Sequence, residues 1–456
     1  MKSVIPDPRL PVAAELPRAP MGILASYRAA RDNILSIIPE AALEVPILSG
    51  RTGPDRWHMV MDPPSIRRIL LERVESYPKS EVTKSILRPA LGDSLFVAEG
   101  DHWRWQRRAA APAFAARNVD ALTPVMTRAA EAAVARIGAA VGRRAINAVD
   151  EMVGATFDVI ADVTLSDREG IDRQEVGAAL DAYIDSAARV SLLDVLGLPG
   201  WVPRPGRQVA VAELSRLQGD MEAAIARRAV EGPRPIPDLM DLLLAATDPE
   251  TGRRMTTSEL RENLLTFIVA GHETTALTLA WALYLCAFDP EVQARAGAEA
   301  REVLGARAAG AEDVARLPFV RQVVEEALRL YPPGGFLSRT AQDRDRLAGA
   351  EIRRGDTVMI PVYGLHRHRR LWEEPDAFRP DRWAARAEID RYQYLPFGDG
   401  PRICIGARFA MQEAVVILAT LLARFRFRAV PGRGPRPVMI LTLRPEGGVW
   451  LEVEAV

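Results

Sequence analysis

Residues 263–288, NLLTFIVAGHETTALTLAWALYLCAF, stay almost wholly apolar for far longer than a β-strand, which limits the possible folds more than any other feature. Thr256 followed by Glu259 reads as a capping box, and Asp289-Pro290 as a stop. Between them the spacing predicts a helix of about 30 residues, roughly 45 Å long at 1.5 Å per residue. A helix that is apolar on all sides has to be enclosed. Its middle, AGHETT at 270–275, carries Glu273, and a carboxylate at a bilayer centre costs about 2.5–3.5 kcal/mol. The stretch therefore reads as the buried central helix of a soluble protein, with the rest of the chain packed around it.

The surroundings are mostly helical. Residues 120–145, 207–232 and 409–425 repeat apolar positions three and four apart. Strand signals are few and short: EVPILSG with WHMVM, DTVMIPVY at 356–363, VMILTL and VWLEVE. Proline- and glycine-rich joints at 197–206, 232–237 and 431–437 are too short for interdomain linkers. The expected architecture is mainly α with small β-sheets, in one large domain spanning 1–456.

Composition excludes several function classes. Lys plus Arg number 59 and Asp plus Glu 60, a net charge of −1, so nothing pulls the whole molecule toward nucleic acid. Two cysteines, Cys286 and Cys404, exclude a disulfide framework or a self-contained zinc cage and suit a reducing cytoplasm. The proline-broken N-terminus reads as neither a signal peptide nor a membrane anchor.

Two stretches carry chemistry. In AGHETT, Gly271 would let the helix open, while Glu273 and Thr274 supply an acid and a hydroxyl for proton relay; the bland alternative is a bend with Glu273 salt-bridged elsewhere. In FGDGPRICIG, 397–406, Cys404 sits where a glycine-rich loop enters a helix, a position that favours a thiolate. Such a thiolate suits a nucleophile, a redox sensor or a metal ligand. None of the five histidines carries a local signature that would partner a nucleophile. The glycines fit ligation of metal or haem iron, with the loop passing flat beneath a planar group.

FGDGPRICIG resembles the haem-binding signature of the cytochrome P-450 superfamily, F-x-x-G-x-R-x-C-x-G, at Phe397, Gly400, Arg402, Cys404 and Gly406. AGHETT is similar to that family's oxygen-activating helix, EALRLYPP contains E-x-x-R as Glu326 and Arg329, FRPDRW supplies Arg382, and WRWQR gives Trp103 and Arg107. The motifs stand in family order from 103 to 406, and the likeness covers nearly the whole chain, residues 1–40 being least constrained.

The resemblance implies a thiolate-ligated haem b, with Cys404 as axial ligand and Phe397 packed near the sulfur. Arg402, Trp103 and Arg107 become donors to the haem propionates; Arg339 is either another or a solvated strand arginine. Gly398, Gly406 and Ala270 leave room for the cofactor, and Thr274 with Glu273 becomes the alcohol–acid pair. Phe267, Ala270, Phe336, Leu337 and Leu441 correspond to the substrate pocket, whereas Glu326, Arg329 and Arg382 are structural.

The implied reaction inserts one atom of dioxygen into a hydrophobic small molecule, by hydroxylation or epoxidation, on a fatty-acid-like, terpenoid or steroid compound. The implied partner is a separate ferredoxin- or flavodoxin-type electron donor with its reductase, docking on a basic face of Arg104, Arg107, Arg108, Arg402 and Arg408. The enzyme is expected to be a cytoplasmic, soluble, bacterial-type monomer, with GLPGWVPRPG at 197–206 as a lid or an ordinary surface loop. The alternatives are a haem-thiolate peroxygenase using hydrogen peroxide and a non-catalytic haem-binding sensor. The retained Glu273 and Thr274 speak against both.

Overall fold

Thr256 caps the central helix as its sequence predicts. Thr256 Oγ1 accepts from Glu259 N (3.3 Å) while the Glu259 carboxylate accepts from Thr256 N (2.9 Å). The computed structural model describes residues 9–19, 21–53, 55–164 and 207–456, with backbone alone at 23–24 and 207–217; the loop at 197–206 lies outside the described residues.

The helices before the described break are α1 (Ile23–Asp32), α2 (Pro63–Arg67), α3 (Glu81–Leu91), α4 (Gly100–Ala110), α5 (Ala116–Gly138) and α6 (Ala148–Thr164). After it come α7 (Arg207–Glu231), α8 (Leu239–Leu244), α9 (Thr257–Phe288) and α10 (Pro290–Leu304). They are followed by α11 (Pro318–Leu330), α12 (Val362–Leu365) and α13 (Ala407–Arg424). Asp289 ends α9 and starts α10, its Oδ1 accepting from Glu291 N and Val292 N at 3.1 Å each.

The sheets are small. Strands β1 (Ile47–Thr52) and β2 (Asp55–Val60) form a hairpin, while β3 (Ile146–Asn147) and β4 (Leu337–Thr340) stand apart in the chain. Next come β5 (Asp345–Leu347), β6 (Ala350–Ile352) and β7 (Thr357–Ile360). The C-terminal strands are β8 (Phe425–Ala429), β9 (Arg436–Met439), β10 (Leu443–Glu446) and β11 (Trp450–Ala455). The largest sheet runs β1-β2-β7-β4, with β2 and β7 parallel and the other pairs antiparallel.

The central helix α9 lies against α6, α11 and α13 and is buried over most of its length. Trp281, fully buried, stacks on Tyr331 with ring centroids 3.8 Å apart and donates through Nε1 to Leu443 O (3.1 Å). Among the described residues no helix is long and apolar enough to cross a membrane.

Two local expectations are corrected. The helix does not open at Gly271: α9 is one uninterrupted run, and a Cβ there would meet Ile160 Cδ1 at 3.0 Å. Gly271 is small where Ile160 of α6 comes close. VMILTL is not one strand either: Met439 pairs with Leu443, and the three residues between them turn. An apolar run looks continuous to a periodicity argument even when its turn is apolar because it faces a cavity.

Candidate active site

A cavity of about 1330 Å³ lies between the middle of α9 and the loop before α13. The loop's shape comes from its glycines. Gly400 has φ +70°, and a Cβ on it would lie 2.0 Å from Leu70 O, so this position lets the loop press against the 68–72 segment. At Gly398 (φ +68°) and Gly406 a Cβ would meet nothing within 4 Å, and both residues line the cavity. Cys404 N donates to Phe397 O (2.9 Å), closing the loop so that Cys404 is open to the cavity floor.

The Cys404 thiol departs from the sequence expectation. Enclosure by the loop and α13 pushes it up, against the opposing pull of the Gly406 amide and the Arg107 guanidinium. Desolvation outweighs the helix terminus here. A cation bound against the sulfur would reverse that balance.

One side of the cavity holds a surplus of positive charge. Arg402 forks onto Glu99 (Nη1 to Oε1, 2.6 Å), lies over the Trp103 ring at 5.0 Å, and keeps its buried Nε without a partner. Arg107 lines the same wall, and burial lowers its pKa. Arg339 is 8% exposed, which excludes the solvated strand arginine. Burial, helped by Arg402, pulls its pKa down to about 10. Burial likewise takes Lys79 down to about 7, its Nζ donating to the carbonyls of Phe96 (2.6 Å), Ala98 (3.3 Å) and Leu95 (3.4 Å).

Arg402, Arg339 and Lys79 thus gather near the carboxylate of Glu99, while Arg107 lines the cavity close to Cys404. This surplus, an orphaned guanidinium nitrogen and the glycine-cleared floor beside a cysteine fit a planar group with anionic substituents and a thiolate-binding metal. Lys79 and Glu99 were not legible as site residues. Glu99 stands beside WRWQR, but Lys79 joins the cluster through the fold alone.

Over the floor, α9 presents Ala270, Gly271 and Thr274. Thr274 Oγ1 donates to Ala270 O (2.7 Å), which leaves its oxygen free to accept, and Thr274 lines the cavity. Glu273 is buried, and its Oε1 accepts from Thr442 Oγ1 (2.7 Å) and Arg444 Nε (2.6 Å). Phe267, Phe336, Leu337 and Leu441 line the apolar remainder, with Phe114 edge-on to Phe267 at 5.1 Å.

Glu326, Arg329 and Arg382 lie away from the cavity. All five N–H groups of Arg329 are used: two on Glu326 and three on the carbonyls of His366, Pro375 and Ala377. Arg382 Nε and Trp383 Nε1 complete Glu326 at 3.0 and 2.9 Å.

The five arginines expected at a docking face all have partners or face the cavity. Arg104 pairs with Asp101 and Glu75, Arg108 with Asp248 and Glu250, and Arg408 with Asp120, while Arg402 and Arg107 turn into the cavity.

The sequence profile of the family described as Cytochrome P450 matches residues 15–452. Two relatives from Streptomyces melanosporofaciens are each 34% identical to the chain: cyclooctatin synthase, over 87% of this chain and 86% of its own, and cyclooctat-9-en-7-ol 5-monooxygenase, over 84% and 82%. The solved cytochrome P450DA heme domain superposes with a TM-score of 0.81 at 26% identity, covering 97% of this chain and 98% of its own. A profile that fits nearly end to end, relatives at this identity and a shared architecture make this chain, with its cysteine-floored cavity, a member of the cytochrome P450 family, a haem b monooxygenase.

Proposed function

We propose that the enzyme hydroxylates an apolar carbocyclic small molecule held between α9 and the 397–406 loop. The observation that carries this reading is the opposition of Cys404 on the cavity floor and Thr274 above it, with an apolar lining between. Cys404 would hold the haem iron as a thiolate, Phe397 would pack beside the sulfur, and Trp103, Arg107, Arg339, Arg402 and Lys79 would hold the propionates. The bound haem supplies the chemistry that splits dioxygen, one atom entering a C–H bond and the other leaving as water with two protons and two external electrons.

The chain's own residues do the rest. Phe267, Ala270, Phe336, Leu337 and Leu441 exclude water and hold the substrate's carbon skeleton. Thr274 Oγ1, whose proton is directed to Ala270 O, accepts a proton and passes one on; Glu273 is the acid beside it. The name of one relative, a monooxygenase of a cyclic unsaturated alcohol, supports a carbocyclic substrate. The electrons come from a separate ferredoxin- or flavodoxin-type donor, and the enzyme acts as a monomer.

The test is spectroscopic and kinetic. The reduced protein with carbon monoxide should give the strongly red-shifted Soret band of thiolate ligation, and Cys404→Ser should abolish it; an unshifted wild-type band overturns the assignment of Cys404. Thr274→Ala should lower product formed per electron pair by about tenfold or more. Unchanged coupling would remove Thr274 from the relay.

A further inference from the structure

Glu273 has a second set of contacts, and they lie on the β9–β10 hairpin. The hairpin's strands are anchored along their length. Met439 N donates to Asn33 Oδ1 (3.0 Å), Leu443 N donates to Pro333 O (3.0 Å), and Leu443 O accepts from Trp281 Nε1 (3.1 Å). The tip, residues 440–442, differs: among the described residues it has no backbone–backbone hydrogen bond. What holds it is Thr442 Oγ1 on Glu273 Oε1 (2.7 Å), reinforced one strand residue later by Arg444 Nε on the same oxygen (2.6 Å).

The tip carries Leu441, which lines the cavity and packs, with Val269 of α9, against the α3 cluster of Ile86, Leu87, Ala90 and Leu91. Fastening the tip therefore fixes an apolar part of the cavity wall. The dependence is mutual. Glu273 is buried, and without Thr442 and Arg444 its carboxylate would lose both donors the structure provides. Without Glu273, the tip would lose its hydrogen-bonded attachment to α9.

We propose that Glu273, Thr442 and Arg444 form a latch that fixes the hairpin tip against α9. As positioning residues they set where Leu441 stands, and so which carbon of an apolar substrate faces the floor. The selectivity half of this rests on the hydroxylase reading above. One carboxylate then serves two purposes: proton exchange with the relay, and an acceptor oxygen for the latch.

Chemistry separates the two. Glu273→Gln keeps an acceptor oxygen but cannot take up or release a proton, whereas Glu273→Ala can do neither. In the haem-loaded protein without ligand, amide hydrogen exchange at Met439 and Leu443, the hydrogen-bonded amides that flank the tip, should rise about tenfold in Glu273→Ala and in the Thr442→Val/Arg444→Ala double variant, the change given by losing ~1.4 kcal/mol of opening free energy. Glu273→Gln should stay close to wild type. Unchanged protection in Glu273→Ala overturns the latch.

For selectivity, spin-state titrations with dodecanoic acid, limonene and progesterone should show the double variant changing its order of affinities in the direction of Leu441→Ala. An unchanged order overturns that half. If the carbon monoxide band fails instead, the hydroxylase reading falls while the exchange result on the latch still stands.

Discussion

His366 shows how far a single residue's chemistry is set by its surroundings. It is fully buried, its Nε2 accepting from Leu395 N (2.8 Å), so that Nδ1 carries the proton and faces Arg329 O (3.2 Å). Burial, and after it the Arg329 charge, takes its pKa from 6.5 to about 3. Above the unfolded value both states are neutral and the arrangement costs nothing. As pH falls from 6.5 toward about 3, the unfolded chain binds the proton first, so stability is lost over that window, at up to about 1.4 kcal/mol per pH unit. Urea unfolding between about pH 7 and about pH 5 should show a shallower loss in His366→Asn than in the wild type. Equal slopes would mean that His366 does not carry this dependence. Nothing in HRHRR distinguishes His366 from its neighbours, because burial is not written in a residue's local sequence. Glu326 and Arg329 were legible as a pair from their spacing, but the carbonyls that complete Arg329 come from 37 to 48 residues away.

At the scale of elements, the 397–406 loop was legible because its constraints are local. A glycine at φ +70° has few substitutes, and the loop needs one at Gly400. Gly400→Ala should destabilise the protein by more than about 2 kcal/mol, since its Cβ meets backbone that cannot turn aside. Gly398→Ala, strained in φ but with open space around it, should cost only about 1–2 kcal/mol. Thermal unfolding of the two variants compares them directly, and equal losses would contradict this account. The central helix was legible for a similar reason, since cap, stop and apolar length all lie within one segment. The role of Gly271 was not, because its explanation is Ile160, more than a hundred residues earlier on another helix. The turn inside VMILTL was hidden for a related reason, its apolar residues answering to the cavity instead of to the strand period.

The whole molecule brings Lys79, Arg107, Arg339 and Arg402 to one cavity from four separate parts of the chain. It also neutralises the outward arginines, Arg104, Arg108 and Arg408, with nearby acids. Replacing Arg104 or Arg408 by alanine should therefore leave the rate of reduction by a ferredoxin within about threefold of wild type, as expected for charges already paired at the surface. A larger loss would show that these arginines take part in docking despite their ion pairs. By itself the sequence determined the mainly helical class, the buried central helix, the cysteine loop and the family resemblance, because each rests on residues close together in the chain. Only the tertiary structure decided which charges remain unbalanced, why Gly271 is small, and that the acid of AGHETT is held by a hairpin some 170 residues later. Those depend on burial and on pairing across the fold, and neither is a property of a segment read alone.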